Sequence, residues 1–258
     1  MPRLLKLHTY LVLAFLYLPI AVIVALSFNQ SRFGVRWTGF TWQWYLRLFH
    51  HHRVAVYAEN TLIVAVASTL IATVLGTLLA LGLYRYSFRL KGAIRFLIYV
   101  PVVIPDIVMG VALLLFFAWV RVHTGWLRLS LTTIVLGHVT FQIAYVALVV
   151  RSRLAGLDPA LEEAAQDLGA GSYATFRHVT LPLILPGVLA GALLAFTLSL
   201  DDFVITFFTA GPGSTTLPLY IFGSVKRGVT PEIHALSSIL IAATTVGLVL
   251  GRALLRRR

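Results

Sequence analysis

Six long apolar runs restrict this chain more than any other feature of its sequence. They cover residues 9–28, 60–84, 96–120, 129–150, 183–208 and 233–255. A helix needs about 20 mostly apolar residues to cross a lipid bilayer, and each run meets that length. The sequence therefore predicts an all-α, polytopic membrane protein with six transmembrane helices.

The composition agrees with membrane insertion and excludes an ordinary water-soluble enzyme. Hydrophobic residues make up 59% of the chain and charged residues only 12%, against roughly 25% charged residues in soluble domains. The 21 Lys and Arg residues outnumber the 9 Asp and Glu residues, but they stand in short clusters between the apolar runs. A nucleic-acid-binding protein gathers such residues on one solvated face, so the basic excess predicts no nucleic-acid partner.

The positions of the basic residues predict the orientation of the chain. Lys and Arg in short loops are retained on the cytoplasmic side. If both termini are cytoplasmic, more of this chain's Lys and Arg residues lie in cytoplasmic segments than in outer ones. The sequence therefore predicts that both termini are cytoplasmic. Arg3 and Lys6 precede the first run, as in a secretory signal, and residues 25–27 loosely resemble a cleavage site. The run is longer than the 7–15 or so residues of a signal core, which favours a retained span.

The aromatic and basic residues of segment 42–53 predict a helix in the outer membrane interface, with its rings at headgroup level.

The one long cytoplasmic loop, residues 151–182, has the sequence of two short helices. Asp158 is a good N-cap for the first helix, and Gly169 suits a left-handed turn that ends it. A second helix is expected to begin at Ser172 and to end before Leu181. Taken alone, this pattern also fits a solvated connector between two spans.

The same loop resembles the EAA loop of the membrane subunits of bacterial ABC importers. The resemblance rests on Glu163-Ala164-Ala165, on Gly169, and on the segment 179–182. In that family the loop is a coupling helix that sits in a groove of a separate ATPase subunit. The resemblance implies the type I importer permease fold and assigns ATPase coupling to Glu162, Glu163, Ala164, Ala165, Asp167 and Gly169. The chain contains no Gly-Lys-Ser/Thr phosphate loop, so ATP and Mg²⁺ are expected on the partner ATPase and no cofactor on this chain.

Three aspartates lie within the predicted spans, where a charge costs about 2.5–3.5 kcal/mol and usually faces a cavity or a partner. Asp106 follows Pro101 and Pro105, a pattern typical of a discontinuous helix that lines a cavity. It is expected about 15 Å into the third span, where it also suits a helix cap. Asp201 and Asp202 are expected about 100° apart on one helix, so that one faces the pathway and the other caps a kink or meets a partner subunit. Acids without Lys or Arg at similar depth predict a cationic cargo.

A narrower resemblance covers nearly the whole chain. Segments 28–34, 83–89, 105–109, 164–170 and 196–203 are similar to the C-type permeases of bacterial spermidine/putrescine ABC importers. This resemblance implies a multi-pass inner-membrane subunit that forms a heterodimer with a related B-type permease. It also implies two copies of an ABC ATPase subunit, a periplasmic polyamine-binding protein and polyamine transport by alternating access.

Other functions are disfavoured by particular features. The alternative within transport is a permease for another cationic or small solute, such as a metal ion, an opine or a betaine. An anion pathway would favour Arg or Lys at depth, and the span interiors contain none. A membrane-embedded aspartyl hydrolase is disfavoured because Asp201 and Asp202 are neighbours and because no Gly-x-Gly-Asp signature occurs.

The histidines predict no metal site. His50, His51 and His52 are consecutive, and one helix turn does not aim three consecutive side chains at one ion. His138, in the fourth span, is expected to be a hydrogen-bonded packing residue, with a pathway role as the alternative. The chain is thus predicted to be a single non-catalytic permease domain, 1–258.

Overall fold

A computed structural model of the chain describes residues 2–31, 36–226 and 228–256. Within these residues the regular structure is helical, apart from one isolated β-bridge between Asn29 and Phe40. The α-helices are α1 Pro2–Leu26, α2 Gln43–His50, α3 His52–Arg85, α4 Lys91–Val103, α5 Asp106–Thr124, α6 Leu131–Leu154, α7 Ala160–Asp167, α8 Ser172–Thr175, α9 Leu181–Asp201, α10 Val204–Thr209, α11 Leu217–Val225 and α12 Pro231–Arg256. A π-helix, Phe176–Thr180, joins α8 to α9.

Five helical segments are long and apolar enough to cross a membrane, judged by length and composition. They are Leu4–Leu26, His52–Arg85, Asp106–Thr124, Leu131–Leu154 and Ser172–Asp201. These segments confirm an all-helical, polytopic membrane protein. The predicted sixth span, 233–255, lies within α12, which is not one of the five.

The third apolar run forms two helices, so the discontinuous helix predicted before Asp106 is confirmed. Helix α4 ends at Val103 and α5 begins at Asp106, with Ile104 extended at φ −71° and ψ 134°. Pro105 explains the break, because proline has no N–H and keeps the preceding residue out of the helical conformation. Pro101 lies inside α4 and does not break it. Asp106 is therefore the first residue of α5.

The fifth apolar run is also broken, and its start differs from the prediction. Helix α9 ends at Asp201, Asp202 is extended at φ −62° and ψ 123°, and α10 begins at Val204. The predicted stop before Leu181 is wrong, because the chain stays helical from Ser172 through the π-helix into α9. A π-helical turn absorbs a local irregularity without ending a helix, here just before a proline that lacks an N–H.

Two compact units divide the chain. One is Tyr57–Leu219, and the other combines the flanking segments Met1–Val56 and Tyr220–Arg258. In the second unit, α1 and α2 both contact α12. The assignment of 1–258 to one functional domain stays a prediction.

Helix α2 is the helix predicted in the first outer loop. Leu46 and Phe49 are exposed, as a helix at the membrane interface requires. Trp44 and Leu48 are buried, and the indole Nε1 of Trp44 donates to the Asn29 carbonyl oxygen at 2.7 Å. Trp44 therefore packs inside the protein, and the prediction of this ring at headgroup level is wrong.

Helix α6 lies at the centre of the core of Tyr57–Leu219. It is the most buried of the five candidate spans, with 56% of its apolar window inside the protein. Glycines let two neighbours approach it closely: a Cβ on Gly76 of α3 would lie 2.8 Å from Val146 Cβ, and one on Gly191 of α9 would lie 3.4 Å from Val146 Cα. Small residues at such contacts are typical of helix packing in membranes. They hold α3 and α9 against α6.

Candidate functional site

The predicted coupling loop contains α7, and the side chain of Asp158 binds the first turn of this helix, as predicted from its capping chemistry. The backbone N–H of Ala160 donates to Asp158 Oδ1 at 3.0 Å. Helix α7 begins at Ala160, with Pro159 as the residue before it. Asp158 thus binds the helix start, where its negative charge also faces the positive end of the helix dipole.

Gly169 ends the same helix in the predicted left-handed conformation. Its φ is +88°. The N–H of Gly169 donates to the Gln166 carbonyl at 2.8 Å, and the N–H of Ala170 donates to the Ala165 carbonyl at 3.0 Å. These two bonds form a Schellman ending, which satisfies carbonyls that the helix would leave unpaired.

The predicted coupling residues lie on two faces of this segment. Two of them, Glu162 and Ala165, are half-buried against the rest of the chain. The others are exposed: Glu163, Ala164, Asp167 and Gly169. Leu168 is 90% exposed beside them. The exposed face is the one available to another polypeptide.

Glu162 belongs to a polar cluster that links three elements. Arg85 Nη2, at the end of α3, lies 2.7 Å from Glu162 Oε1 and donates to Thr180 Oγ1 at 2.9 Å. The Thr180 hydroxyl, in the π-helix, also donates to Glu162 Oε1. We call Arg85, Glu162 and Thr180 the clamp. It connects α7 to the ends of two spans.

The clamp lowers the pKa of the Glu162 carboxyl. Partial burial raises this pKa, but hydrogen bonds from Thr180 and Arg85 and the charge of Arg85 lower it more. The Arg85 and Glu162 side chains are 26% and 23% exposed, so water screens their attraction only in part. Glu162 is consequently held as a carboxylate.

The three predicted pathway acids line one cleft of about 320 Å³. Asp106 comes from the start of α5, Asp201 from the end of α9, and Asp202 from the break before α10. The other lining residues are Pro101, Phe141, Tyr145, Leu198, Phe203, Val204 and Ile205. No Lys or Arg is among the described residues that line this acidic cleft. Carboxylates and aromatic faces suit a cation.

A second cleft of similar size has the opposite character. It measures about 340 Å³ and is lined by Arg121 together with mostly apolar residues, and none of the described residues that line it is an acid. A cation gains nothing from such a lining. The acidic cleft is therefore the better candidate for the cargo predicted from the sequence.

Asp202 caps the short helix that follows it. Its Oδ2 accepts from the Thr206 N–H at 2.8 Å and from the Thr206 hydroxyl at 2.9 Å, and its Oδ1 accepts from the Ile205 N–H at 3.3 Å. Capping of a kink was one predicted role. The predicted separation of Asp201 and Asp202 by about 100° on one helix is wrong, because the helix ends between them. Both line the cleft, where only one was expected to do so.

Asp106 and Asp201 are less enclosed than Asp202. Both are exposed, whereas the Asp202 side chain is 10% exposed. No side-chain hydrogen bond caps the start of α5 in the described residues, so the expected cap by Asp106 is absent there. Asp106 lies instead in the first turn of α5, where the helix dipole stabilises its charge.

His138 lies directly behind the acidic cleft and is 1% exposed. Its Nδ1 is 2.6 Å from Ser199 Oγ, and its Nε2 is 3.0 Å from Thr206 Oγ1 and 3.2 Å from Asp202 Oδ2. The side chain is thus buried and hydrogen-bonded, as expected of a packing residue. Its contact with Asp202 adds a link to the cleft.

The consecutive histidines do not form a shared site. His50 ends α2 and its Nδ1 contacts the Leu46 carbonyl at 2.8 Å, whereas His52 begins α3. Among the residues that the structure describes, no group of three or more His, Cys, Asp or Glu side chains is arranged to hold a metal ion.

Sequence reasoning missed two groups of site residues. Phe141 and Tyr145 line the cleft, and with His138 they follow a spacing of three and four residues, which places all three on one face of α6. That spacing was visible in the sequence. The second group is Arg85, which no local pattern connects to Glu162, because the two residues are 77 positions apart in the sequence.

Solved structures identify the fold. A chain of a bacterial ABC transporter involved in the import of the acidic polysaccharide alginate superimposes with a TM-score of 0.79 at 20% identity, covering 99% of this chain and 94% of that chain. A chain of the MetNI methionine ABC transporter in an inward-facing conformation gives a TM-score of 0.64 at 19% identity, covering 79% and 95%. The fold is that of an ABC importer permease.

The sequence comparisons then identify the family. The chain belongs to the binding-protein-dependent transport system inner membrane components, whose family profile matches residues 72–257. The spermidine/putrescine transport system permease protein PotC of Haemophilus influenzae is 42% identical over 248 residues, which cover 96% of this chain and 95% of that protein. The putrescine transport system permease protein PotI of Escherichia coli is 44% identical, covering 90% and 83%. The chain is therefore a non-catalytic permease component of the inner membrane.

Proposed function

We propose that this chain is the permease subunit of an ATP-driven polyamine importer, and that spermidine or putrescine crosses the inner membrane through the acidic cleft. The relatives that support this cargo are 40–44% identical to the chain over at least 90% of its length. Transport in this proposal follows alternating access.

The observation that carries the proposal is the convergence of three carboxylates from separate helices. Asp106, Asp201 and Asp202 line the same cleft with the rings of Phe141 and Tyr145. A polyamine is a flexible chain of protonated amines joined by methylene groups. Carboxylates neutralise the protonated amines, and aromatic faces contact both the amines and the methylene groups. The polyamine can therefore move along such a lining without any one of its amines being held tightly at a single residue.

Another cationic solute, such as a metal ion, an opine or a betaine, is the alternative cargo. The lining separates these classes. A hard metal ion favours several oxygen ligands at short distance and gains little from aromatic walls. The mixture of carboxylates and rings fits an organic cation better.

The proposed topology has six spans and both termini in the cytoplasm. Helix α12 serves as the sixth span, and α7 lies on the cytoplasmic side between the spans formed by α6 and α9. The preference of Lys and Arg for the cytoplasmic side supports this orientation.

In the proposed complex the exposed face of α7 contacts a separate ATPase. Glu163, Ala164 and Asp167 lie on that face, and Glu162 and Ala165 face the chain itself. Closure of two ATPase subunits around ATP and Mg²⁺ would displace α7, and the clamp would carry the displacement to α3 and α9. A B-type permease completes the membrane pathway, and a periplasmic polyamine-binding protein delivers the cargo.

The acidic cleft is tested with Asp106→Asn, Asp201→Asn and Asp202→Asn in reconstituted complexes. Each change removes one charge that pairs with a cargo amine, and a hydrogen bond to a charged group contributes about 1.5–3 kcal/mol. At least two of the variants should lower the rate of spermidine uptake about tenfold or more. Glu59→Gln is the matched control, because Glu59 is an exposed acid of α3 outside the cleft.

Normal uptake by all three variants would remove the cleft from the pathway. Competition for uptake among spermidine, putrescine, ferric ion and glycine betaine tests the cargo separately. Inhibition by the two polyamines alone is the expected result, and stronger inhibition by ferric ion or betaine would reassign the importer.

A further inference from the structure

The hydrogen bonds around His138 show that one of its two ring nitrogens, Nε2, carries a hydrogen. The Thr206 hydroxyl donates its hydrogen to Asp202 Oδ2 at 2.9 Å. That hydroxyl must therefore accept from His138 Nε2, 3.0 Å away, and the carboxylate oxygen at 3.2 Å is also an acceptor. Nε2 consequently carries a hydrogen that points at the Thr206 and Asp202 oxygens.

The opposite edge of the ring contacts one hydroxyl, which a second hydroxyl contacts in turn. Nδ1 is 2.6 Å from Ser199 Oγ, which is 3.3 Å from Ser68 Oγ on α3. Ser68, Ser199, His138 and Thr206 are all buried. This row of partners fixes the ring plane between α3, α9 and α10, so the direction of the Nε2 hydrogen is fixed too.

The bonds on Asp202 are unequal. Oδ2 receives three donors, two from Thr206 and one from His138, whereas Oδ1 accepts one long bond of 3.3 Å from Ile205. Oδ1 therefore keeps lone pairs for another donor. Since Asp202 lines the acidic cleft, an ammonium group of the cargo can be that donor.

We propose that His138 is a positioning residue for transport: its Nε2 hydrogen holds the Asp202 carboxylate so that Oδ1 faces the cleft. His138 does not line the cleft, so it acts through Asp202 without touching the cargo. This inference rests on the proposed passage of cationic cargo through the acidic cleft.

Two amide variants separate the two edges of the ring. In glutamine the amide nitrogen lies as many bonds from Cα as Nε2 does in histidine, so His138→Gln keeps a donor toward Asp202. In asparagine the amide nitrogen matches Nδ1, so His138→Asn keeps the contact with Ser199 and loses the donor to Asp202. Both variants place an uncharged amide of similar polarity in the same buried site.

The experiment measures spermidine uptake and assembly of the reconstituted complex for His138→Gln, His138→Asn, Asp202→Asn and the double variant His138→Asn/Asp202→Asn. We expect His138→Gln to retain most of the uptake rate and His138→Asn to lose about tenfold. In the Asp202→Asn background, His138→Asn should cause no further loss, because its effect passes through that carboxylate.

Each other outcome overturns the positioning role. Equal losses in the two single amide variants, a full additional loss in the double variant, or failure of both amide variants to assemble would make His138 a packing residue. If Asp202→Asn itself transports normally, the positioning role of His138 fails, whereas the acidic cleft fails as the pathway only if Asp106→Asn and Asp201→Asn transport normally as well. Impairment in Asp202→Asn with normal uptake in His138→Asn rejects the inference about His138 alone.

Discussion

Replacing Gly169 by alanine is expected to loosen the end of the coupling helix and to uncouple ATP hydrolysis from transport. Such a change can cost free energy through a steric clash of the new Cβ or through strain in the backbone, and the structure shows which of the two applies. Among the described residues, no atom beyond the two flanking residues lies within 4 Å of a Cβ built at residue 169, so the substitution creates no clash there. Its φ of +88° is left-handed, and an L residue in that conformation costs about 1–2 kcal/mol.

Gly171→Ala is the matched control. Gly171 also has no atom within 4 Å of an added Cβ, but its φ of −67° is one that alanine adopts readily. The two variants therefore add the same methyl group in the same loop and differ in backbone strain. Gly171→Ala should be neutral, or stabilising by about 0.4–1 kcal/mol through the unfolded chain.

Hydrogen exchange measures the predicted opening directly. The N–H groups of Gly169 and Ala170 close the Schellman ending. A cost of about 1–2 kcal/mol raises the equilibrium constant for opening this helix end by a factor of about 5–30. The amides of residues 169 and 170 should exchange faster by that factor in Gly169→Ala and at the normal rate in Gly171→Ala. Spermidine transported per ATP hydrolysed should fall in the first variant alone.

Equal exchange rates in the two glycine variants would refute the strain calculation. Faster exchange with an unchanged ratio of transport to hydrolysis would leave the calculation intact and refute the coupling role of this helix end.

Glu162→Gln should reduce transport per ATP about fivefold, because a clamp that is partly exposed to water contributes about 1 kcal/mol. Glu162 has a lowered pKa, so the stabilisation by its carboxylate is complete above the ordinary glutamate range and is lost only as pH falls through the lowered value. The difference from wild type should therefore be constant between about pH 6 and pH 8. Gly76→Ala should destabilise the permease by about 1–3 kcal/mol in thermal unfolding, because its Cβ would lie 2.8 Å from a side chain of α6.

Matched variants check these results. Glu163→Gln removes the same charge from the exposed face of α7 and should leave the contact between Arg85 and Glu162 intact. A fivefold loss that appears only at alkaline pH would contradict the pKa argument. For the packing prediction, Gly82→Ala lies in the same helix with no atom within 4 Å of an added Cβ, and equal stability of Gly76→Ala and Gly82→Ala would contradict close packing of α3 on α6.

Local chemistry predicted part of the candidate site. Asp158, α7 and the left-handed Gly169 follow from capping rules that involve only neighbouring residues. The break before Asp106 follows from Pro105 in the same way. The break at Asp202 has no such signal in residues 201–203. There the short helix α10 is held by Asp202 at its start and by the Thr133 hydroxyl, which donates from α6 to the Thr209 carbonyl at 2.8 Å.

By itself the sequence determined the class of structure, the helix α7 with its two ends, and which acids lie in the apolar runs, because apolar runs and helix caps act over a few residues at a time. Only the tertiary structure decided that Asp106, Asp201 and Asp202 share one cleft, that His138 supports one of them and that Glu162 binds Arg85. Those contacts join helices far apart in sequence. They depend on how closely α3 and α9 pack on α6. This packing is set by how the side chains of the three helices fit together, which cannot be predicted from neighbouring residues in the sequence.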